Sequence, residues 1–111
     1  MDTLLTDVTG YLKDQEKAMC DTLKRLVLIP SGSGHKAGVD RVCREVYGLV
    51  EWLLPERRIV PQEAYGDILI ASVPSFPGKR RILLAGHMDT IFPPESTFRG
   101  WREDERNIYG P

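Results

Sequence analysis

The sequence predicts an α/β/α layered domain with a mixed sheet, and three observations lead to this α/β fold class. Two amphipathic helical patterns occupy the first half of the chain. Short runs rich in Ile, Leu and Val follow, bounded by Gly and Pro. One of these runs, residues 81–85, is apolar after its first residue, which is typical of a strand covered on both faces. Two helices followed by strands, with one strand buried on both faces, indicate packed α/β layers.

The helical patterns predict two helices before the strands. In the first, apolar residues recur at spacings of three, four or seven, namely Leu5, Val8, Leu12, Met19, Leu23 and Leu26. This helix is predicted to begin between residues 3 and 9, since Gly10 weakens its first turns, and to end near residues 29–30. A second pattern predicts a helix over residues 38–53, with Pro55 after its end and Trp52 packed on it.

A Gly/Ser-rich loop, residues 31–35, joins these two helices. A glycine-rich loop before a helix can bind a phosphate, but the Gly-Lys-[Ser/Thr] signature of a P-loop is absent. The sequence therefore favours a plain capping loop in which His35 is solvated.

Three strands are predicted at residues 57–61, 67–73 and 81–85. Their connections are shorter than the dozen or so residues that a parallel crossover needs, so successive strands should reverse direction. After Thr90 the chain reads as a loop to Gly100. The acidic residues beyond it, Glu103, Asp104 and Glu105, lie between Arg102 and Arg106, which favours an exposed turn over a metal site.

The composition excludes several classes of function. A net charge of -1 gives no electrostatic basis for binding nucleic acid or an anionic membrane. No apolar stretch approaches the roughly 18 residues of a membrane span, and the first residues lack a signal-peptide pattern, so a cytoplasmic location is predicted.

Cys20 and Cys43 form no CxxC pair; we expect no disulfide between them and a buried, reduced thiol at Cys43.

The candidate site lies where the third predicted strand ends. His87 and Asp89 follow Gly86 at positions i and i+2. Ligands bind at the carboxyl ends of strands in open α/β sheets, where a histidine can offer a ring nitrogen to a metal. A nearby carboxylate can take the proton of the other ring nitrogen and fix the tautomer. A His-x-Asp triplet alone is common, so a structural role remains the alternative.

Three segments resemble motifs of one zinc metallopeptidase family. Residues 86–93, Gly-His-Met-Asp-Thr-Ile-Phe-Pro, resemble its Gly-His-x-Asp-Thr-Val-x-Pro motif. Residues 26–33 are similar to its Leu-Val-x-Ile-Pro-Ser-x-Ser, and residues 109–111 to the start of its Tyr-Gly-Pro-Gly-x-x-Asp-Met-Lys. The family includes glutamate carboxypeptidase, acetylornithine deacetylase, succinyl-diaminopimelate desuccinylase and the aminoacylases. The resemblance spans nearly the whole chain.

The resemblance implies that residues 1–111 are the N-terminal part of a catalytic domain, without the family's lid and dimerisation domain. It implies that His87 ligates one of two zinc ions, with cobalt as a substitute, and that Asp89 orients this histidine without being a ligand. The bridging aspartate, the general-base glutamate and the other ligands are expected after Pro111. Full-length members often form homodimers.

The resemblance implies a zinc-dependent exopeptidase that hydrolyses a C-terminal peptide or amide bond with metal-activated water, as glutamate carboxypeptidase does. An N-acyl amino acid deacylase of the acetylornithine deacetylase or desuccinylase type is the alternative within the same chemistry. From another class, a non-catalytic binding or scaffold module that retains the fold also remains open. Because a catalytic zinc keeps three protein ligands and His87 is one, these 111 residues alone are predicted to be inactive.

Overall fold

The computed structural model describes residues 2–98 and 100–111. Two helices come first, α1 (Thr3–Val27) and α2 (Lys36–Leu49). Four short strands follow them, β1 (Glu56–Val60), β2 (Ile68–Ser72), β3 (Arg102–Glu103) and β4 (Ile108–Tyr109). The strands form two antiparallel pairs, β1 with β2 and β3 with β4. This content confirms a mixed α/β protein, although the strand pairs of the described residues are antiparallel and do not form the expected mixed sheet.

Helix α1 begins within the predicted range and ends at Val27, two or three residues before the predicted end. The side chain of Asp2 caps its N-terminus by accepting a hydrogen bond of 3.0 Å from the backbone N–H of Leu4. Lys24 and Arg25 in the last turn are favourable near the negative end of the helix dipole. The helix has no buried residue, and its predicted apolar stripe stays exposed except at Leu26, which is half-buried.

Helix α2 is shorter at its C-terminus than predicted. It ends at Leu49, and residues 51–53 form a turn instead of the last helical turn. Gly48 is a weak helix former, and Pro55 disfavours helical backbone in the residue before it, so both act against a longer helix. Trp52 therefore lies beyond the helix with 76% of its surface exposed, and the prediction that it packs on the helix is wrong.

The β1–β2 hairpin confirms the first two predicted strands to within one residue at each end. Its antiparallel register pairs Arg58 with Ile70, as the short connection at residues 61–67 requires. Helix α2 packs against this hairpin, and the buried apolar residues of the described chain are Ile29, Val39, Val42 and Cys43. The core therefore lies between α2, the end of α1 and the hairpin.

A polar network ties α2 to the hairpin beside this core. The Lys36 Nζ donates to Oδ1 of Asp67 at 2.8 Å and lies 2.9 Å from Oδ2 of Asp40. The backbone N–H of Asp67 donates to Oδ1 of Asp40 at 2.8 Å, and that of Gln62 donates to Oδ1 of Asp67 at 2.9 Å. All three charged side chains are partly buried, so the network fixes the connection between β1 and β2 on the surface of α2.

The predicted third strand is wrong. Residues 79–89 form no helix or strand, and Ile82, Leu83 and Leu84 are 88%, 89% and 90% exposed. An apolar run indicates that a segment can be buried, whereas a strand also needs a neighbour that takes up its backbone hydrogen bonds. No strand of the described residues pairs with this segment.

The β3–β4 hairpin confirms the predicted charged turn. One carboxylate oxygen of Asp104 accepts hydrogen bonds of 2.9 Å from the backbone N–H groups of Arg106 and Asn107. The other accepts a hydrogen bond from the Tyr109 hydroxyl, also at 2.9 Å. These bonds, those of the two backbone N–H groups first, hold the pKa of Asp104 below its ordinary value. The acidic cluster is thus an exposed turn.

None of the helices in residues 2–98 and 100–111 has the length and apolar character needed to cross a membrane.

Candidate functional site

The site is built where the loop after α1 meets the segment that contains His87 and Asp89. Gly32 and Thr90 form an isolated parallel β-bridge. The backbone N–H of Thr90 donates to the carbonyl of Ser31 at 2.8 Å, and that of Ser33 donates to the carbonyl of Thr90 at 3.0 Å. Ser31 is buried, so one of these bonds lies away from solvent. Two segments nearly 60 residues apart in sequence are therefore fixed side by side.

Glycine is required at the centre of this contact. A β-carbon on Gly32 would lie 2.6 Å from the carbonyl oxygen of Phe92 and 3.0 Å from Cα of Pro93. Real β-carbons essentially never approach another heavy atom as closely as the first of these distances. The two segments can lie this close only because position 32 has no side chain.

The ring of His87 is oriented by Asp89. Its Nδ1 lies 2.7 Å from the Asp89 backbone carbonyl oxygen and 3.3 Å from the carboxylate Oδ1. Both oxygens are acceptors, so Nδ1 is the nitrogen that carries the proton. In a neutral ring Nε2 then has a free lone pair, and the side chain is 84% exposed. The arrangement presents Nε2 to solvent as an available ligand atom.

The other oxygen of the Asp89 carboxylate is engaged by Ser33. The Ser33 hydroxyl donates to Asp89 Oδ2 at 2.6 Å. This hydrogen bond is the first cause that holds the pKa of Asp89 below its ordinary value, and the nearby His87 ring also lowers it, while partial burial acts in the opposite direction. Asp89 therefore remains an anion at neutral pH, with one oxygen toward Ser33 and one toward His87.

Sequence reasoning brought His87 and Asp89 together but missed Ser33. The loop was expected only to cap α2, yet the N-cap residue of that helix is His35, whose side chain makes no capping hydrogen bond. Ser33 and Asp89 are 56 residues apart, so no local pattern relates them. The available signal was that both residues lie in segments that resemble motifs of the same family.

His35 differs from its predicted solvated state. It is half-buried, and its Nδ1 lies 2.9 Å from the carbonyl oxygen of Pro30. No carboxylate of the described residues lies against its ring, in contrast to His87. An open cleft of about 520 Å³ adjoins this loop, lined by residues 32–35 together with Ile91, Pro93, Pro94 and Glu95.

The residues at this site fit one position of a zinc centre. Imidazole nitrogen is a common zinc ligand, and a ring whose other N–H is held by a carboxylate is the usual form of such a ligand. Among residues 2–98 and 100–111, no group of three or more His, Cys, Asp or Glu side chains is arranged to bind a metal. A catalytic zinc at His87 would therefore need ligands additional to those of the described site.

No protein-family model matches the chain, and no curated protein or solved structure matches it either.

Proposed function

We propose that this chain forms the part of a zinc-dependent exopeptidase catalytic domain that contributes His87 to the metal centre. The observation that supports this best is the double contact of His87 Nδ1 with Asp89, which leaves Nε2 free and exposed. The complete domain would be the α/β/α layered catalytic domain of the glutamate carboxypeptidase type. Its substrate would be a peptide whose C-terminal residue is released.

In the proposed metal centre, His87 and Asp89 would have different roles. Zinc, or cobalt in its place, would supply the Lewis acidity for activating water and polarising an amide carbonyl. His87 would hold the metal through the Nε2 lone pair, and Asp89 would keep the proton on Nδ1 and make Nε2 a better donor. The described residues supply a single histidine ligand, so the 111-residue chain by itself should not turn over substrate.

Within the same chemistry, the alternative is an N-acyl amino acid deacylase of the acetylornithine deacetylase or desuccinylase type. Both reactions attack an amide carbonyl with metal-activated water, and they differ in the groups that recognise the substrate. The full-length protein would be a homodimer in either case. We also propose a cytoplasmic location, which agrees with the two free cysteines, Cys20 and Cys43.

A metal titration tests the proposal, because the chain has only two histidines and each can serve as the control for the other. Both rings have Nδ1 near a backbone carbonyl, but among the residues that the structure describes only His87 also has a carboxylate beside it. We expect Zn²⁺, followed by NMR of the ring nitrogens, to shift Nε2 of His87. His87→Ala should abolish this binding and His35→Ala should leave it unchanged.

The proposal fails if Zn²⁺ binds equally well to wild type and His87→Ala, or if it binds at His35 instead. A second assay offers the zinc-loaded chain a glutamate-terminated dipeptide and an N-acetyl amino acid. No turnover is expected with either. Zinc-dependent hydrolysis that His87→Ala removes would contradict the view that further ligands are required.

A second candidate, from another class, is a non-catalytic module that binds a second copy of the same chain. The favouring observation is the almost complete exposure of Ile82, Leu83 and Leu84 in a segment without a strand partner in the described structure. A net charge of -1 gives two copies little electrostatic repulsion. Light scattering distinguishes this candidate, since a dimer that dissociates in a Leu83→Ser variant would favour it and a strict monomer would exclude it.

A further inference from the structure

We propose that Ser33 is a positioning residue for His87, acting through the carboxylate of Asp89. The hydroxyl of Ser33 holds Oδ2 and thereby directs Oδ1 toward the His87 ring. The consequence for zinc rests on the proposed function above. The positioning itself concerns only this chain's own side chains and can be measured without a metal.

The hydroxyl of Ser33 has one proton and two acceptors within reach. Asp89 Oδ2 lies 2.6 Å away and the Thr90 carbonyl oxygen lies 3.2 Å away. Hydrogen bonds to a carboxylate are shorter and stronger than those to a neutral carbonyl, so the proton points to Asp89. The short distance agrees with this choice.

The carboxylate of Asp89 is thus divided between two partners. With Oδ2 engaged by Ser33, the rotation of the carboxylate is restricted, and Oδ1 stays 3.3 Å from Nδ1 of His87. The Asp89 side chain is only 39% exposed, so water competes less for its oxygens than on an open surface. The backbone of Asp89 also hydrogen-bonds its own carboxylate, but Ser33 is the first cause that lowers the pKa of this carboxyl and is the residue that engages Oδ2.

Backbone hydrogen bonds hold Ser33 next to Asp89 in the chain without a ligand. The N–H of Ser33 donates a hydrogen bond to the carbonyl of Thr90, and the N–H of Thr90 donates one to the carbonyl of Ser31. Gly32 allows the two segments this close approach. The backbone of Ser33 is therefore fixed opposite Asp89. Ordering its side chain costs little conformational entropy, because a serine side chain has a single short rotor.

The task of Ser33 differs from that of the Asp89 backbone carbonyl. The carbonyl lies 2.7 Å from Nδ1 and favours the proton on that nitrogen. The carboxylate adds negative charge beside the ring and fixes its orientation, which makes Nε2 a better electron-pair donor. Removing the Ser33 hydroxyl should therefore weaken the orientation of the ring and its affinity for a cation, without abolishing the tautomer.

The test compares wild type with Ser33→Ala, which removes the hydroxyl, and Ser33→Thr, which keeps it. Ser33 is exposed, so the additional methyl group of threonine has room. In the metal-free chain, NMR couplings report the rotamer of Asp89 and ¹⁵N shifts report the His87 ring. We expect a single Asp89 rotamer in wild type and Ser33→Thr, and averaging with shifted ring nitrogens in Ser33→Ala.

A Zn²⁺ titration of the same three proteins gives the second readout. Loss of a hydrogen-bond partner of a ligand typically weakens metal binding about 10- to 100-fold, and Ser33 acts one contact further away, so roughly a threefold to tenfold loss is expected for Ser33→Ala. Gly34→Ala is the matched control in the same loop, since a β-carbon there would meet no atom within 4 Å.

The outcomes separate this inference from the proposed function. Unchanged Asp89 couplings and His87 shifts in Ser33→Ala overturn the positioning role, even if zinc binds His87 normally. Altered couplings that Ser33→Thr restores support the role, even if no Zn²⁺ binds and the proposed function fails. A change in Ser33→Ala that Ser33→Thr does not restore also overturns it, because the effect would then come from packing.

Discussion

Gly32 lies so close to Phe92 that a β-carbon at position 32 would come within 2.6 Å of the Phe92 carbonyl oxygen. This approach holds the loop after α1 against the segment that contains Asp89 and Thr90. The candidate site therefore depends on Gly32, although this glycine has no side chain that could bind or react.

Gly32→Ala should separate the two segments at the site. The clash is with backbone, which cannot rotate away, so we expect a loss of about 1–3 kcal/mol in the free energy of unfolding, as for other overpacked positions. Urea unfolding measures this loss, and amide hydrogen exchange should show faster exchange at Thr90. Gly34→Ala provides the control, because a β-carbon there meets nothing within 4 Å. Equal effects of the two variants would contradict the predicted close contact.

Gly66 and Val39 form a second close contact, between the hairpin connection and α2. A β-carbon on Gly66 would overlap the side chain of Val39, which is buried. We expect Gly66→Ala to destabilise the chain by about 1–3 kcal/mol, because the core has no space for a further methyl group. In the double variant Gly66→Ala/Val39→Ala the cost should be less than the sum of the two single costs. Additive values in a double-mutant cycle would show that the two residues do not share this contact.

Stability should fall in acid through Asp40 and Asp67. Hydrogen bonds from Lys36 are the first cause that holds the pKa of each carboxyl below the ordinary value of 3.8, with backbone N–H groups as the second. A carboxyl whose pKa is lowered on folding adds stability that is complete above its unfolded pKa and is lost as the pH falls through the folded value. Asp67→Asn should therefore lower the urea midpoint at pH 7, and its difference from wild type should shrink as the pH falls from about 5 towards 2.

The control for this pH dependence is Asp21→Asn. Asp21 pairs with Lys17 on the surface of α1, where both side chains are mostly exposed and a salt bridge contributes little to stability. Its urea midpoint should follow that of wild type across the same pH range. The opposite ranking, with Asp21→Asn the more sensitive variant, would show that the Lys36 network does not stabilise the fold.

The two cysteines should react at different rates. Cys43 is fully buried, and burial is the main reason that the pKa of its thiol is raised, with Asp67 and Asp40 as further causes. Cys20 is half-buried on α1. Because the thiolate is the reactive form, a maleimide or iodoacetamide should modify Cys20 first and Cys43 only on unfolding. Mass spectrometry of Cys20→Ser and Cys43→Ser identifies each site, and faster labelling of Cys43 in the native chain would disprove the assignment.

Local patterns in the sequence predicted the elements whose stability is local. Helix α1, the β1–β2 hairpin and the charged turn around Asp104 agree with the spacing of apolar residues, the short connections and the turn residues. The same patterns predicted one helical turn too many in α2, because apolar spacing continued to Leu53 after the backbone had left the helix at Leu49. Periodicity describes which face is apolar, and it does not fix where the hydrogen bonds stop.

The sequence by itself determined the helices, the first hairpin and the pairing of an imidazole with a carboxylate two residues later, since each depends on neighbours in the chain. Only the tertiary structure decided that Ser33 reaches Asp89, that Gly32 must be a glycine and that residues 82–84 are exposed. These facts depend on segments 50 residues or more apart, or on whether a strand partner is present. Side-chain identity sets what a residue can do, but contact across the fold sets which partner it meets.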